Sequence, residues 1–301
     1  MKIWDAHCDV LYKLWKYPKE RFSKSRYLQI DYDSLVKTDV AVLCMTIYVP
    51  PTCKDPWLAV LNQISIFHNQ ILSKPNIVFL KNRDEINKLS NNEIGVFLNL
   101  EGLHSIEGDI TRLIWLLEMG VSSIGLTWNN GNVFFSGIGD EQDKGIKELG
   151  VEIIELINSY NSWIDLSHSS RKTIRDVIPL AKYPIATHSN IFDLCNHDRN
   201  LQKDEILLLQ KHHGKIGFTF VPNFIGSPNW KGQLVKQIDY LLNINALDMI
   251  CFGSDFDGMD DCYYDLQHVT HWKNVIDFLK IHYSEKLIEK ILYKNLASFA
   301  N

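Results

Sequence analysis

Short apolar runs alternate along the chain with longer stretches in which apolar residues recur at helical spacing. Eight runs have the length and composition of buried strands: Ile3-Trp4, Val40 to Val49, Gly95 to Leu100, Ser122 to Thr127, Trp163 to Leu166, Pro184 to Thr187, Lys215 to Phe220 and Met249 to Gly253. The helical pattern is clearest over residues 57–73, 110–119, 145–160, 174–181, 204–211, 231–243, 272–283 and 285–299. Strands that alternate with helices favour parallel βα units.

The number of these units predicts the fold class. About eight βα units in a chain of 301 residues are what a (β/α)8 TIM-like barrel requires. A doubly wound sheet is the alternative, but no Gly-x-Gly-x-x-Gly follows an early strand. No Gly/Pro/Ser-rich linker interrupts the pattern, so we expect an α/β protein with a single barrel domain over residues 1–301.

Polar side chains with metal-binding chemistry stand at the ends of five of the strand-like runs. They are His7, Asp9, Glu101, His168, His188 and Asp255. A barrel keeps its active site at the C-terminal ends of its strands, so we expect these side chains to ring one opening. Imidazole and carboxylate ligands suit zinc, with cobalt or manganese as alternatives. Three histidines and three carboxylates exceed the needs of one zinc and favour two metals bridged by a carboxylate.

Each of these residues alone has an ordinary structural explanation. A single histidine at a strand end is usually a hydrogen-bonded core or surface residue. Glu101 alone can cap a helix, and Asp255 alone can form a turn before Gly258. Their joint occurrence at one end of separate strands favours a site. The histidines without this placement are interpreted as contacts behind the site or as surface residues: His104, His197, His212, His213, His268 and His271.

Composition excludes several classes of partner. The net charge is −5 and no basic stretch is present, which argues against a nucleic-acid groove. No apolar run is long enough to span a membrane. The candidate site begins at Asp5, which leaves no room for a signal peptide before it. The six cysteines lack paired spacing, so we predict free, buried thiols and a cytoplasmic protein.

Several segments, taken in order, resemble the motifs of the membrane (renal) dipeptidase family of zinc peptidases. Asp5-Ala6-His7-Cys8-Asp9 resembles the first metal motif, and Glu101-Gly102-Leu103-His104-Ser105 resembles Glu-Gly-Gly-His-Ser. The later segments are Ile164-Asp165-Leu166-Ser167-His168-Ser169, Thr187-His188-Ser189, Arg199-Asn200 and Gly253-Ser254-Asp255-Phe256-Asp257-Gly258. Each motif alone is unspecific, whereas the ordered set covers most of the chain.

The resemblance implies a barrel with two Zn²⁺ ions per chain, or other divalent metals in their place. By this resemblance His7 and Asp9 hold one zinc, His168 and His188 hold the other, and Glu101 bridges them. A water or hydroxide between the two ions would hydrolyse the peptide bond of a dipeptide, because two cations lower the pKa of a shared water.

The resemblance also implies how a substrate binds. Arg199 would bind the terminal carboxylate of the dipeptide through two hydrogen bonds. Asp255 would lie near the bridging water and handle its proton. The sequence leaves open the preferred dipeptides, the acceptance of D-residues and the assembly, for which a homodimer is one option.

One segment departs from the mammalian pattern. The chain has Leu126-Thr127-Trp128-Asn129 where the mammalian members have Leu-Thr-His, whose histidine stabilises the oxyanion. Indole donates one hydrogen bond and accepts none, so Trp128 cannot replace that histidine fully. The N–H of Trp128 or the amide of Asn129 is the candidate donor. The family's bacterial-type members share this tryptophan, and we expect a soluble, cytoplasmic member of that type.

Two other functions stay open from the residues. The first is a different two-metal barrel amidohydrolase, namely an amidase, a lactonase or a deaminase. Many of these bridge their metals with a modified lysine, and here no lysine stands at a candidate strand end. The second is a binding or scaffold protein that has lost activity. Such a protein would lack ligands, whereas all five are present here.

Overall fold

The computed structural model describes residues 1–226 and 228–300, which form a closed barrel of parallel strands surrounded by helices. The strands are β1 (Ile3–Cys8), β2 (Val40–Tyr48), β3 (Ile77–Phe79), β4 (Ile94–Glu101), β5 (Val121–Gly125), β6 (Trp163–Asp165), β7 (Pro184–Ala186), β8 (Lys215–Phe218) and β9 (Ile250–Phe252). Eight of them close the barrel, because β2 pairs with β4 and β9 pairs with β1. The predicted (β/α)8 barrel is confirmed.

Strand β3 is the one strand in the described residues that the sequence pattern does not predict. It pairs with the N-terminal half of β4, where Ile77 lies opposite Ile94. A strand of three residues is too short to display a pattern of its own. It adds to the edge of the barrel and does not take part in its closure.

The helices of the described residues lie between the strands, except for the last three, which follow β9. They are α1 (Val10–Lys16), α2 (Tyr32–Leu35), α3 (Pro56–Ile66), α4 (Ile110–Met119), α5 (Gly150–Ser159), α6 (Arg171–Val177), α7 (Lys203–Lys211), α8 (Pro222–Ile225), α9 (Trp230–Asn243), α10 (Trp272–His282), α11 (Glu285–Glu289) and α12 (Asn295–Ala300). A π-helical turn extends α3 over Phe67–Ile71, and a second joins α11 to α12 over Lys290–Lys294. The sequence pattern misses the short helices α1, α2 and α8.

Local sequence signals explain where several helices begin and end. The Asp55 carboxylate accepts a hydrogen bond from the Leu58 N–H and caps α3, with Pro56 at the first helical position. Helix α4 ends at Gly120, which has a positive φ of 98°. The helix predicted over residues 145–160 begins only at Gly150, because Leu149 before it adopts a left-handed backbone with φ 62°.

The lower half of the barrel interior is filled by apolar side chains. Trp4 stacks on Phe97 at a centroid distance of 5.4 Å and contacts Trp163 at 5.9 Å. Leu296 and Phe299 of α12 cover this cluster from below. The polar residues lie at the opposite end of the barrel, at the C-terminal ends of its strands.

Two further predictions can be compared with the fold. All six cysteines are free, as expected, but only Cys8, Cys44 and Cys251 are buried, and Cys262 is exposed. In the described part of the chain, no helix has both the length and the apolar composition needed to cross a bilayer.

Candidate active site

A cavity of about 690 Å³ opens at the C-terminal end of the barrel. Eight of the nine predicted site residues line it: Asp9, Glu101, Trp128, Asn129, His168, His188, Arg199 and Asp255. The ninth, His7, lies in the wall of the same cluster and is only 1% exposed. The structure therefore brings together all the residues that the sequence placed at one opening.

The strand ends position each candidate ligand. Glu101 is the last residue of β4, and His7 lies one residue before the end of β1. His188 follows β7 by two residues. His168 and Asp255 follow β6 and β9 with positive φ angles of 69° and 63°, in a backbone region that non-glycine residues rarely adopt.

The ligand-type atoms form two overlapping groups. His168 Nε2 lies 2.9 Å from Glu101 Oε1 and 2.9 Å from His188 Nε2, and His188 Nε2 lies 3.5 Å from Glu101 Oε1. His7 Nε2 lies 3.3 Å from Asp9 Oδ2 and 3.9 Å from Asp255 Oδ1. The rings of His7 and His188 are 3.8 Å apart at their centroids, so the two groups are in direct contact.

These residues fit the ligand set of divalent metal ions. His7 Nε2 and Asp9 Oδ1 are buried without a hydrogen-bond partner in the described part of the chain. Leaving buried polar atoms unpaired is costly unless a ligand or ion satisfies them. Ligand atoms of His7, Glu101 and His188 lie within 4.8 Å of one another, and so do those of His7, Asp9 and Asp255. Imidazole nitrogens and carboxylate oxygens at this spacing suit an ion such as zinc.

Each candidate histidine has an acceptor beside its second ring nitrogen. Asn129 Oδ1 lies 2.7 Å from His168 Nδ1, and Thr187 Oγ1 lies 2.9 Å from His188 Nδ1. Thr46 Oγ1 lies 3.3 Å from His7 Nδ1. In metal sites such contacts orient the ring and keep the Nε2 lone pair free for the ion.

Burial dominates the electrostatics of the metal-free cluster. It raises the pKa of Asp255 to about 8 and raises the pKa values of Asp9 and Glu101 well above their usual range. The same desolvation lowers the pKa values of His168 and His188. Burial thus disfavours the charged forms of these five groups, and a bound cation would reverse this for the three carboxylates.

Two glycines make room for the site. Gly102 follows Glu101 with a φ of 89°, and a Cβ atom there would lie 2.5 Å from His104 Nδ1. A Cβ atom on Gly258 would lie 2.3 Å from Asp9 Oδ2 and 2.4 Å from Asp255 Oδ1. A side chain at either position would displace neighbouring groups of the cluster.

Arg199 presents a cation to the cavity beside the ligand cluster. Its Nη2 donates to the carbonyl oxygen of His188 at 3.3 Å, and its guanidinium lies 5.3 Å from the Phe224 ring centroid. Burial lowers its pKa to about 10, so it stays charged at neutral pH. Its Nε is buried without a hydrogen-bond partner, and it forms no ion pair with any described carboxylate. Such a guanidinium is suited to bind an anionic group of a ligand.

Trp128 and Asn129 both line the cavity after β5. The Trp128 ring lies 5.4 Å from Tyr48 and 5.9 Å from His168 between centroids, so it covers one side of the histidine. Asn129 uses its side-chain oxygen to hold His168, a contact that the sequence did not reveal. Contact of either residue with substrate stays a prediction.

The sequence did not indicate several residues that line the cavity. Helix α1 contributes Tyr12, Lys13 and Lys16, and the segment after β8 contributes Phe224. The available signal was their position directly after a barrel strand, where TIM-barrel sites are built. His197 also lines the cavity, and its Nδ1 accepts a hydrogen bond from the Arg199 backbone N–H at 3.1 Å. His104 instead contacts the Val49 carbonyl oxygen at 2.8 Å, as expected for a residue behind the site.

Comparisons with known proteins agree with this fold. The family model described as membrane dipeptidase, peptidase family M19, matches residues 1–298. An uncharacterised protein from the pqqA 5′ region of Klebsiella pneumoniae is 29% identical over 216 residues, which cover 67% of this chain and 79% of that protein. The dipeptidase aclJ of Aspergillus oryzae is 26% identical over 274 residues, covering 84% of this chain and 64% of that one.

A solved structure has the same fold. The metallopeptidase from Rhodobacter sphaeroides, liganded with a phosphinate mimic of the dipeptide L-Ala-D-Ala, superimposes with a TM-score of 0.90 at 21% identity, covering 100% of this chain and 98% of that one. The chain spans less than two thirds of the Aspergillus relative. Because the family model matches nearly the full length, this chain belongs to the membrane dipeptidase family, peptidase family M19.

Proposed function

We propose that the protein is a zinc metallodipeptidase that hydrolyses the peptide bond of dipeptides. The observation that carries this proposal is a buried guanidinium, without an ion-pair partner among the described residues, beside a cluster of metal-ligand side chains in one cavity. Arg199 recognises a carboxylate while the cluster acts on a carbonyl next to it. Family membership supports the same activity.

Five residues would hold two zinc ions. His7 and Asp9 would hold one, His168 and His188 would hold the other, and Glu101 would bind both. Glu101 Oε1 lies within 3.5 Å of His168 Nε2 and His188 Nε2, and a ligand atom of Glu101 also lies within 4.8 Å of one of His7, which supports this assignment. Bound zinc supplies a water of lowered pKa and polarises the scissile carbonyl. Asn129 holds His168 in place through its Nδ1.

Arg199 sets the length of the substrate. A bidentate hydrogen bond to the terminal carboxylate leaves one residue between this anchor and the scissile bond. The peptide bond that reaches the cluster is then the single bond of a dipeptide. A longer peptide would place a neutral amide where the carboxylate belongs, and the buried guanidinium would lose its counter-charge.

Asp255 is the proposed proton carrier. It lines the cavity next to His7 and Asp9, and its carboxyl group is hydrogen-bonded to Asp9. It takes a proton from the attacking water and delivers it to the leaving amine, the role of a general base and then a general acid. The Trp128 N–H and the Asn129 amide are the candidate donors to the oxyanion.

Two finer points belong to the same proposal. The Rhodobacter sphaeroides protein carries a mimic of a dipeptide with a C-terminal D-residue, so we include such dipeptides among the proposed substrates. The six free cysteines support a reducing, cytoplasmic location.

The test compares the acid and amide forms of one dipeptide, with and without a chelator. The wild-type enzyme should hydrolyse the acid form, lose this activity with the chelator and act poorly on the amide. Arg199→Ala should lower kcat/KM for the acid, since each hydrogen bond to a charged group contributes about 1.5–3 kcal/mol, and leave the amide nearly unchanged. Equal hydrolysis of acid and amide by the wild type would contradict a dipeptidase and favour a general amidohydrolase.

A further inference from the structure

Thr187 lies between two candidate metal ligands and a buried carboxylate. Its side chain is fully buried directly after β7. Its Oγ1 lies 2.6 Å from Asp165 Oδ2, 2.9 Å from His188 Nδ1 and 3.5 Å from His7 Nδ1. One hydroxyl therefore contacts imidazoles that the proposed function assigns to two different zinc ions.

The backbone fixes which oxygen of Asp165 faces this hydroxyl. Asp165 Oδ1 accepts hydrogen bonds from the N–H groups of Ser167 and Thr187, both at 3.0 Å. The second oxygen, Oδ2, is therefore the one left for the Thr187 side chain. The carboxylate is 5% exposed, so water contributes little to its hydrogen bonding.

This arrangement also fixes the direction of the hydrogen bonds. A carboxylate only accepts, so the Thr187 hydroxyl donates its single proton to Asp165. The hydroxyl oxygen can then only accept a hydrogen bond from His188. His188 consequently carries its proton on Nδ1, and the lone pair of Nε2 faces Glu101.

The same reasoning extends to His7. Its Nδ1 faces the hydroxyl oxygens of Thr187 and Thr46, at 3.5 Å and 3.3 Å. With the Thr187 proton used on Asp165, a hydrogen bond between Thr187 and His7 requires His7 Nδ1 as the donor. Thr46 Oγ1 can accept from the same N–H. Its Nε2, which has no hydrogen-bond partner in the described part of the chain, is then free for an ion.

We propose that Asp165 and Thr187 are positioning residues that set the metal-binding proton arrangement of His188 and His7 together. This inference rests on the proposed function, since it concerns ligands of both zinc ions. Because one hydroxyl serves both rings, its removal should weaken both metal sites at once. Loss of such a partner behind a ligand typically weakens metal affinity about 10–100-fold.

The decisive variant is Asp165→Asn, because it reverses a hydrogen bond without removing a side chain. The two backbone N–H groups require an oxygen at the Oδ1 position, so the new NH₂ group takes the place of Oδ2. It donates to Thr187, whose hydroxyl proton then turns to His188 Nδ1 at 2.9 Å, to Ser167 Oγ at 3.4 Å or to His7 Nδ1 at 3.5 Å. His188 Nδ1 is the nearest of these acceptors, and a proton donated to it would drive the ring proton onto Nε2 and block metal binding.

The experiment measures zinc affinity and stoichiometry by competition with a chromophoric chelator, and it records the absorption spectrum of the Co²⁺-substituted proteins. Thr187→Val removes the hydroxyl, while Thr187→Ser retains it. Thr127→Val is the matched control, since Thr127 is fully buried at the same end of the barrel and its hydroxyl has no hydrogen-bond partner among the described residues.

We expect Thr187→Val to bind both zinc ions about 10–100-fold more weakly, Asp165→Asn to lose at least as much, and both to alter the Co²⁺ spectrum. Thr187→Ser and Thr127→Val should behave as the wild type. If the wild type binds two zinc ions and Thr187→Val binds them with the same affinity, this inference is overturned while the proposed function stands. The inference is also overturned if Asp165→Asn loses less zinc affinity than Thr187→Val. If Thr187→Val does not fold, Asp165→Asn decides. A wild type that binds no zinc would overturn the proposed metal centre as well.

Discussion

Glu101 is the residue on which the two halves of the candidate metal centre depend. Its Oε1 lies within 3.5 Å of Nε2 of both His168 and His188, and its ligand atom also groups with that of His7. No other carboxylate in the described residues has candidate ligands from three different strands around it in this way. If Glu101 binds two cations at once, the negative charge of its carboxylate stabilises both, and a neutral side chain of the same shape does not replace it.

We expect Glu101→Gln to weaken both metal sites, because a neutral amide bridges two cations poorly. The loss should exceed the roughly 10–100-fold cost of removing a partner behind a ligand. Elemental analysis after dialysis at defined free zinc measures it. His168→Ala is the comparison, and it should empty one site and abolish turnover while the second metal stays bound. Two metals held at wild-type affinity in Glu101→Gln would exclude the bridge.

Two roles are open to Asp255, that of a proton carrier and that of a metal ligand, and a single substitution distinguishes them. Its Oδ1 lies 3.9 Å from His7 Nε2, close enough for a shared ion, and its carboxyl group is hydrogen-bonded to Asp9, as suits a proton carrier. We expect Asp255→Asn to retain both metals and to lower kcat by about 10²–10⁴-fold, the usual contribution of proton transfer. Metal content and kcat are measured on the same preparation. A fall in metal content would make Asp255 a ligand instead.

At the scale of elements, the segment that carries Arg199 is tied to two helices by a buried ion pair. Arg171 of α6 donates to Glu205 of α7 at 2.8 Å and to the Asp198 carbonyl oxygen at 2.8 Å. The Glu205 side chain is fully buried, and Arg175 is its second cation at 3.6 Å. The pair thus links α6, α7 and the residue just before Arg199.

Removing one partner of this pair should destabilise the protein. Arg171→Met leaves a buried carboxylate with only the more distant Arg175, and we expect a loss of about 3 kcal/mol in the free energy of unfolding, the lower end for breaking a buried pair. Chemical denaturation measures it. Lys172→Met breaks an exposed pair with Asp176 and should cost at most about 0.5 kcal/mol.

The double variant Arg171→Met with Glu205→Gln supplies the internal check. It removes the unpaired charge while keeping an oxygen for the Gln202 backbone N–H, which Glu205 now accepts at 2.8 Å. Part of the lost stability should return, because the cost comes from an uncompensated charge. No recovery would mean that Arg171 stabilises the fold by packing alone.

The elements also indicate what a sequence can and cannot predict. All eight barrel strands were predicted, because a strand covered on both faces is a continuous apolar run. Helix α1 was missed, although Tyr12, Lys13 and Lys16 line the cavity, since seven residues give less than two full repeats of a helical pattern. Strand β3, with three residues, was missed for the same reason.

The site was predictable to the extent that barrel topology alone determines it. Candidate ligands at strand ends must meet, so His7, Glu101 and His188 could be assigned to one opening from the sequence. The contacts of Thr187 with Asp165 and of Asn129 with His168 could not, because they depend on side-chain geometry between neighbouring strands and loops. Threonine and asparagine are also too common near strand ends to stand out.

At the scale of the whole molecule, the barrel couples metal binding to stability through its buried carboxylates. The pKa of Asp255 is about 8 in the metal-free protein, against an ordinary value near 3.8, and burial raises those of Asp9 and Glu101 in the same direction. Raised values favour the protonated forms in the folded state. The stability that these protonated carboxyl groups give the folded state is complete below pH about 4 and is lost as the pH rises through 8.

The buried histidines act in the opposite direction, but only at lower pH. Burial lowers the pKa values of His168 and His188 below the ordinary 6.5, so both are neutral in the folded state. In the unfolded chain they take up protons below pH about 6.5, which favours unfolding there. At pH 6.5 each of these histidines is still half protonated in the unfolded chain, and loss of that proton by pH 8 opposes the carboxylates by only about 0.4 kcal/mol. The buried carboxylates therefore dominate between pH 6.5 and 8.

We therefore expect the metal-free protein to lose stability between pH 6.5 and 8, by about 1–2 kcal/mol for each carboxyl group that ionises in this window. Zinc prefers the ionised carboxylates, so the zinc-loaded protein should not show this loss, and zinc should raise the melting temperature more at pH 8 than at pH 6.5. Calorimetric melting of both forms at the two pH values measures it. Metal-free Asp255→Asn is the control and should show a smaller decrease, because its amide does not titrate. If the melting temperature of the metal-free protein stays constant or rises over this window, the carboxylates are already ionised without metal. Charges other than the proposed ions would then stabilise the cluster.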